Sequence, residues 1–528
     1  MRAAAIGRRQ FLTGAAAAAA AIAVGCSSDS GGGARTTAAS TTTAAAPATS
    51  AVPDLAADPF TLGVASGDPL TDRVILWTRL APEPLADDGA GGMAADDVEV
   101  VWEVAADDAF DRVVASGVAV AEAAYGHAVH VDAKGLEPGT DYHYRFTVGS
   151  YTSPVGRTRT LAEGSPERFG LAVVNCQMLE GGQFGAYRNL VDEDLDLVLH
   201  LGDYIYEYPG GTGERSAKPA RALATVGDYR LRYASYKVDE HLQAAHARFP
   251  FVATWDDHEV ANNHMGDLLP GNPDPEAGRA LKAAAYQAWW EHLPVRLDPP
   301  DGSDLAVYRA VTVGDLARIH VLDERQDADQ PPCRPPEGTV VDYGDCEERL
   351  GEDRSRLGAA QEAWLEGSLA EGGVTWNLLG NPVVLAGVNA GKDSDAFYLD
   401  TWDGYPQARE RLIAQLAATS NPVVLTGDYH AGMVLDVHER PFDQASAVAA
   451  PEFMAPPISS PLFADDISAR TPQLRQQLNE YGYLTVAVTP EELTVAFRVL
   501  DDVSDAATAV STAATWKVAA GDPVARQA

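Results

Sequence analysis

Two rhythms of apolar positions divide the chain. Between Pro59 and Thr160 the apolar residues fall into short runs of period two or close to it: Val74–Leu80, Val98–Val104, Ala128–Val131 and Tyr142–Val148. That alternation is the mark of strands with one face on a core. Gly135-Leu136-Glu137-Pro138-Gly139-Thr140 is a turn that feeds the last run. Short strands at this spacing predict a small all-β sandwich of the immunoglobulin or fibronectin type over 57–163. Nothing in it points to chemistry.

From Phe169 onward, apolar strands alternate with helical stretches. Leu171–Val174, Leu195–Leu201, Phe251–Trp255, Val374–Leu379 and Val423–Thr426 read as strands. The stretches 227–248, 276–292, 358–370 and 405–418 read as helices. This predicts a layered α/β domain over 164–528. Leu493–Leu500 and Thr515–Val518 form one more strand pair. The tail from Asp501 onward carries no strong helical pattern. There is no internal repeat.

The first 56 residues follow neither rhythm. Arg8-Arg9-Gln10-Phe11-Leu12 precedes an apolar run from Ala15 to Val24. The run is shorter than the roughly 20 residues of a membrane span, so 1–26 predicts a signal handled by the twin-arginine export machinery. Ala23-Val24-Gly25-Cys26 is similar to a lipobox, which would make Cys26 a lipidated first residue and leave the protein extracellular or anchored to the cell surface. Plain signal cleavage is the alternative. Residues 27–56 are nearly all Ser, Gly, Thr, Ala and Pro, the composition of a flexible tether.

Charge narrows the function classes. The 528 residues carry 76 acidic and 39 basic groups, a formal net charge of -37. Such a chain repels polyphosphate surfaces, which argues against a nucleic-acid-binding module and against electrostatic docking on anionic membranes. A small anionic substrate stays open, because bound cations can reverse the field locally. Of the four cysteines, Cys333 and Cys346 bracket a Pro/Gly/Asp-rich segment, which suits a loop-stapling disulfide outside the cell, with a zinc site as the alternative. Cys176 is left unpaired.

The five strands of the α/β region end in Cys176, in Asp203 with Tyr206 close behind, in Asp256-Asp257, in Asn381, and in Asp428 with His430. An aspartate after one strand is ordinarily a cap or turn residue. Five strand ends of this kind in one domain point to convergence, because sites in α/β sheets form beyond the carboxyl ends of strands. A thiolate, a phenolate, an imidazole and a carboxylate together suit iron(III), and the remaining oxygen ligands suit calcium or magnesium. Ionising Cys176 and Tyr206 needs strong positive charge nearby, since free thiols and phenols titrate at about 8.5 and about 10. No Ser or Thr stands at a strand end as a nucleophile.

The ordered motifs Asn175-Cys176-Gln177, Gly202-Asp203-Tyr204-Ile205-Tyr206-Glu207-Tyr208, Thr254 to Asn263, Leu322-Asp323-Glu324-Arg325 and Gly427-Asp428-Tyr429-His430 resemble those of the alkaline phosphatase D (PhoD-like) family. Phe60 to Pro69 and Ile75-Leu76-Trp77-Thr78-Arg79 look like that family's N-terminal β domain. The resemblance covers about 57–500. It implies a four-layer α/β sandwich core of the calcineurin-like metallophosphoesterases, and a centre of one Fe(3+) and two Ca(2+). By motif, Cys176, Tyr206 and His430 would bind iron, and Asp203 would bridge iron to calcium. Asp428 and one or both of Asp256 and Asp257 would hold calcium. Strand alternation suggests that only one of that pair points inward, with Asp257 favoured.

The resemblance also gives Asn263 and Arg325 contact with the phosphate. A surface ion pair with Asp323 or Glu324 is the plainer reading of Arg325. His258 would either give a proton to the leaving oxygen or hold a carboxylate in place. Asn381 has no settled task. The expected activity is hydrolysis of phosphate mono- or diesters by a metal-activated oxygen nucleophile. The rivals are a phospholipase D-like diesterase acting on lipid or cell-wall polymers, and a non-catalytic lipoprotein that captures phosphate or metal.

Overall fold

Two β-sheets lie face to face, and leucine and valine side chains fill the space between them. Along Phe169–Val174, residues Phe169, Leu171 and Val173 enter this central layer, while Ala172 and Val174 face helices on the other side. Leu197–Leu201 does the same, with Leu197, Leu199 and Leu201 inward and Val198 outward. In the facing sheet, Trp376 and Leu378 point to the shared core and Leu379 points away, to a third layer with Leu365, Leu412 and Leu416. A strand covered on both faces has no polar side, which is why these segments are continuous apolar blocks. Helix, sheet, sheet and helix make the four layers expected. This is a computed structural model. It describes residue 55 and residues 57–528 apart from 209–214, 270–273, 331, 334–340, 343–345, 392–394 and 464. The export signal, the lipobox and nearly all of the tether lie outside the described residues.

The larger sheet has ten strands and the facing sheet seven. At the centre of the first, Phe169–Val174, Leu197–Leu201 and Pro250–Thr254 run parallel and adjacent. At the centre of the second, Ala317–Val321, Trp376–Asn381 and Pro422–Thr426 do likewise.

The N-terminal β region is joined to this core by more than a linker. Val64–Gly67 pairs in parallel with Pro250–Thr254, and Arg73–Arg79 and Ala128–Lys134 follow it in the ten-stranded sheet. A second, five-stranded sheet packs against this extension through Val74, Leu76, Val100, Tyr144 and Phe146. One sheet of the small sandwich is therefore an extension of the core sheet.

The predicted helix over 227–248 is two helices, Val226–Lys237 and Glu240–Arg248. Asp239 starts the second by accepting from the amides of His241 and Leu242 at 2.9 and 3.0 Å. Strands that the pattern hides include Ala317–Val321, whose central Arg318 and His320 break the apolar run. His320 is satisfied internally by Asn377 on the next strand at 3.1 Å. Gly432–His438, Val448–Met454 and Gly482–Val488 are likewise strands. The tail does not close over the site. Val510–Ala519 pairs with Glu492–Leu500 near one edge of the ten-stranded sheet. Cys333 and Cys346 are disulfide-bonded, with Cα atoms 5.7 Å apart.

Leu199 is fully buried and sits over Gly380 of the facing sheet. Leu199→Ala should cost about 3 kcal/mol of stability, from lost burial plus an unfilled cavity. Chemical denaturation checks this, and a loss below about 1 kcal/mol would contradict the inter-sheet packing.

Candidate metal centre

The site lies at the carboxyl ends of the central strands of both sheets. Phe169–Val174 leads to Cys176, Leu197–Leu201 to Asp203, Pro250–Thr254 to Asp256 and Asp257, and Pro422–Thr426 to Asp428 and His430. Each chain must turn sharply as it leaves its strand. Cys176, Asp203, Asn263, Asp428 and His430 all adopt left-handed backbone, with φ between 53 and 65°. Such conformations cost free energy in residues other than glycine and cluster where a site demands them. Gly202 shows how tight the turn is. Its φ is +101°, and a Cβ there would lie 2.3 Å from the Asp256 amide nitrogen.

Three overlapping groups of ligand atoms result, each within 4.8 Å of one another: Cys176, Asp203 and His430; Asp203, Asp257 and His258; and Asp256, Asp257 and Asp428. Tyr206 completes the first, its hydroxyl 2.8 Å from Asp203 Oδ2 and 3.2 Å from His430 Nε2. Both Asp256 and Asp257 turn toward the centre. Alternation does not separate them, because the strand has ended at Thr254.

The electrostatics are severe. Burial pushes the Asp203 and Asp428 carboxyls well above the usual carboxylate range, and neighbouring carboxylates add to the shift. Burial also raises Asp256, with Asp257 adding to it and Arg325 opposing. The Cys176 thiol and the Tyr206 phenol rise well above their ordinary values by burial and then by Asp203. Asp257 is the exception. Burial raises it, but His258, Arg325 and the Asn263 amide outweigh that and hold its carboxyl low. Asp203 Oδ1, Asp256 Oδ2 and Asp257 Oδ1 are buried with no hydrogen-bond partner among the described residues. Buried oxygens without donors, converging from two neighbouring strand ends, fit cations.

Residues that the motifs did not single out hold this geometry. Glu259 is fully buried and accepts from the amides of Asp203, Tyr204 and Asp256 at 3.1, 2.7 and 3.0 Å, clamping two ligand loops together. Burial pushes its carboxyl up to about 7. Ser460 donates either to the Tyr206 hydroxyl at 2.6 Å or to the Cys176 carbonyl at 2.8 Å. Glu207 holds His258 Nδ1 at 2.7 Å.

Arg325 is fully buried, so the surface ion pair is excluded. Its Nε donates to Asp256 Oδ1 at 2.5 Å, while Nη1 and Nη2 have no hydrogen-bond partner among the described residues and Nη2 lies 3.9 Å from Asp257 Oδ1. Asp323 instead accepts from the Arg325 amide at 2.9 Å, and Glu324 pairs with Arg356 at 3.4 Å. The Asn263 amide hydrogen points at Asp257 Oδ2, 2.5 Å away. Its side-chain nitrogen, turned toward the carboxylates, lies 3.3 Å from Asp257 and 3.3 Å from Asp400. Asp400 went unnoticed in the sequence. It is buried, and burial followed by Asp257 raises its carboxyl against Arg325 and Arg356. Asn381 ends its strand buried, donating to the Val383 carbonyl, and belongs to none of the three ligand groups.

A cleft of about 360 Å³ opens beside these groups, lined in part by Asn263, Asp400, Asp428 and His430. No residue of the tail beyond Asp501 lines it.

The fold and the site together define an α/β-sandwich protein with a multi-ligand metal centre at the meeting edges of two sheets. The PhoD-like phosphatase family model matches residues 171–497, and the model of that family's N-terminal domain matches 44–162. Alkaline phosphatase D of Bacillus subtilis (strain 168) is 40% identical over 493 residues, covering 88% of this chain and 82% of the relative. A solved structure of PhoD superposes with a TM-score of 0.84 at 39% identity, covering 90% of this chain and 93% of the other. The chain belongs to the PhoD-like phosphatase family.

With its folded-state carboxyl raised, Asp428 costs the metal-free protein stability as pH rises above the ordinary carboxylate range. Asp428→Asn should therefore melt about 2 °C above wild type at pH 8 when both are stripped by chelator. That gain should shrink toward pH 4, where wild-type Asp428 is itself protonated. Thermal melts across this range check it, and a gain independent of pH would contradict the charge account.

Proposed function

We propose that this protein is an exported hydrolase of phosphate esters whose centre holds one iron(III) and two calcium ions. Hydrolysis of phosphoric esters follows from its family, which sets aside the non-catalytic lipoprotein. The observation that carries the metal reading is the convergence of a thiol, a phenol, an imidazole and four carboxylates, several with buried and unpaired oxygens. Cys176, Tyr206 and His430 would hold iron, with Asp203 shared between iron and calcium. Asp256, Asp257 and Asp428 would hold calcium. When bound, such ions neutralise phosphoryl oxygens and lower the pKa of water.

The chain's own groups do the rest. Arg325 is fixed at one end by Asp256 and keeps two donor nitrogens free of hydrogen bonds, the planar fork that suits phosphate oxygens. Asn263 braces Asp257 through its backbone and lines the cleft, where its side chain would meet the phosphate. Glu207 holds His258 at Nδ1 and turns Nε2 away from itself, toward a position from which it can protonate the leaving oxygen. In the metal-free protein the Asp257 and Asp203 carboxylates, then Glu207, raise His258 well above the usual imidazole range against burial.

Export by the twin-arginine route and a lipid at Cys26 belong to the same proposal. The Cys333–Cys346 disulfide supports an oxidising compartment. The twin-arginine route suits a protein folded around its metals before it leaves.

Cys176→Ser and Tyr206→Phe should each abolish the visible absorption of the purified protein and lower kcat at least about 100-fold. Absorption spectra and turnover of a simple phosphate ester check both. Unchanged colour and turnover in both variants would overturn the iron assignment.

A further inference from the structure

The cleft beside the metal centre is lined by two unlike sets of residues. Asp428 and His430 belong to the polar set, where phosphate would be held. Tyr398, Tyr429, Leu462 and Phe463 line the same cleft and form its apolar wall. Its rings meet edge to face. Tyr398 and Tyr429 have centroids 5.8 Å apart at 77°, and Tyr429 and Phe463 lie 4.7 Å apart at 67°. Tyr398 and Phe463 are half-buried, which leaves ring surface facing the cleft. The wall is tied to the centre: His430 Nδ1 lies 2.8 Å from the Pro461 carbonyl, and the Phe463 amide donates to the His430 carbonyl at 3.0 Å. A ligand position at His430 therefore fixes the ring positions too.

We propose that this wall binds the organic group of the ester and selects a planar, uncharged ring system, so that nucleoside monophosphates and similar ring-bearing monoesters are the favoured substrate class. The inference rests on the phosphoesterase reading. An aromatic wall stacks flat rings through offset and edge contacts and gains little from a small polyol. The described residues lining the cleft include no lysine or arginine to draw a second phosphate to the wall by charge. Its volume falls in the range of small-molecule pockets, about 300–1,000 Å³. In the reaction, water adds to phosphorus, the bond from phosphorus to the ribose 5′ oxygen breaks, and that oxygen takes a proton. The products are a nucleoside and inorganic phosphate.

AMP and ribose 5-phosphate test this, because both release the same kind of primary alcohol and differ by the base. With the metal-loaded full chain, kcat/KM for AMP should exceed that for ribose 5-phosphate at least tenfold, chiefly through KM. In the double variant Tyr398→Ala, Phe463→Ala the ratio of the two kcat/KM values should fall toward one. A ratio within the same variant is insensitive to how much of it folds. Equal efficiency on both substrates in wild type, or a ratio retained in the double variant, overturns the inference and leaves the phosphoesterase reading standing. Hydrolysis of neither substrate, nor of any other phosphate ester, overturns both.

Discussion

Repulsion among buried carboxylates is the constraint around which this structure is arranged. Asp203, Asp256, Asp257 and Asp428 are brought within a few ångströms of one another with solvent largely excluded. Left alone, such groups would protonate or move apart. Among the described residues, Arg325 and His258 are the main groups that oppose the repulsion, Arg325 at Asp256 and both at Asp257. The Cys176 thiol and the Tyr206 phenol are pushed toward their neutral forms by the same field. Cations at the centre would oppose all of the upward shifts at once, which ties metal binding to stability as closely as to chemistry.

The scaffold keeps this arrangement from relaxing. Two sheets packed through Leu199, Leu201, Leu378 and Leu425 fix the strand ends that deliver the ligands. Glu259 then clamps the loops after two of those strands through three amides, and Gly202 lets those loops approach more closely than any side chain would allow. The left-handed backbone at five site residues is strain carried by this rigid frame. The N-terminal β region adds to the frame, since Val64–Gly67 lies directly against the strand that leads to Asp256 and Asp257.

Much of this was legible in the sequence because four buried strands are apolar blocks that stop at a group of the site. Cys176, Asp203, Asp256, Asp257, Asp428 and His430 stand out for that reason, and the structure brings them together. Asp400 stands out in no such way. It sits in a turn before the short helix Trp402–Gly404, with no buried strand before it to mark it. Ser460 lies in a loop and acts only across the fold, on Tyr206 and Cys176. Glu207 and Glu259 fall inside motifs, but their task depends on contacts more than 50 positions away in the chain, which no local pattern encodes. Strands such as Ala317–Val321 were hidden because their polar residues find partners on neighbouring strands instead of in water.

Elemental analysis of the folded protein by mass spectrometry tests the central claim most directly. The account predicts about one iron and two calcium per chain, retained through extensive dialysis. Protein that is folded and active while holding no tightly bound metal would contradict it, because the buried carboxylates would then have to be balanced by the chain alone.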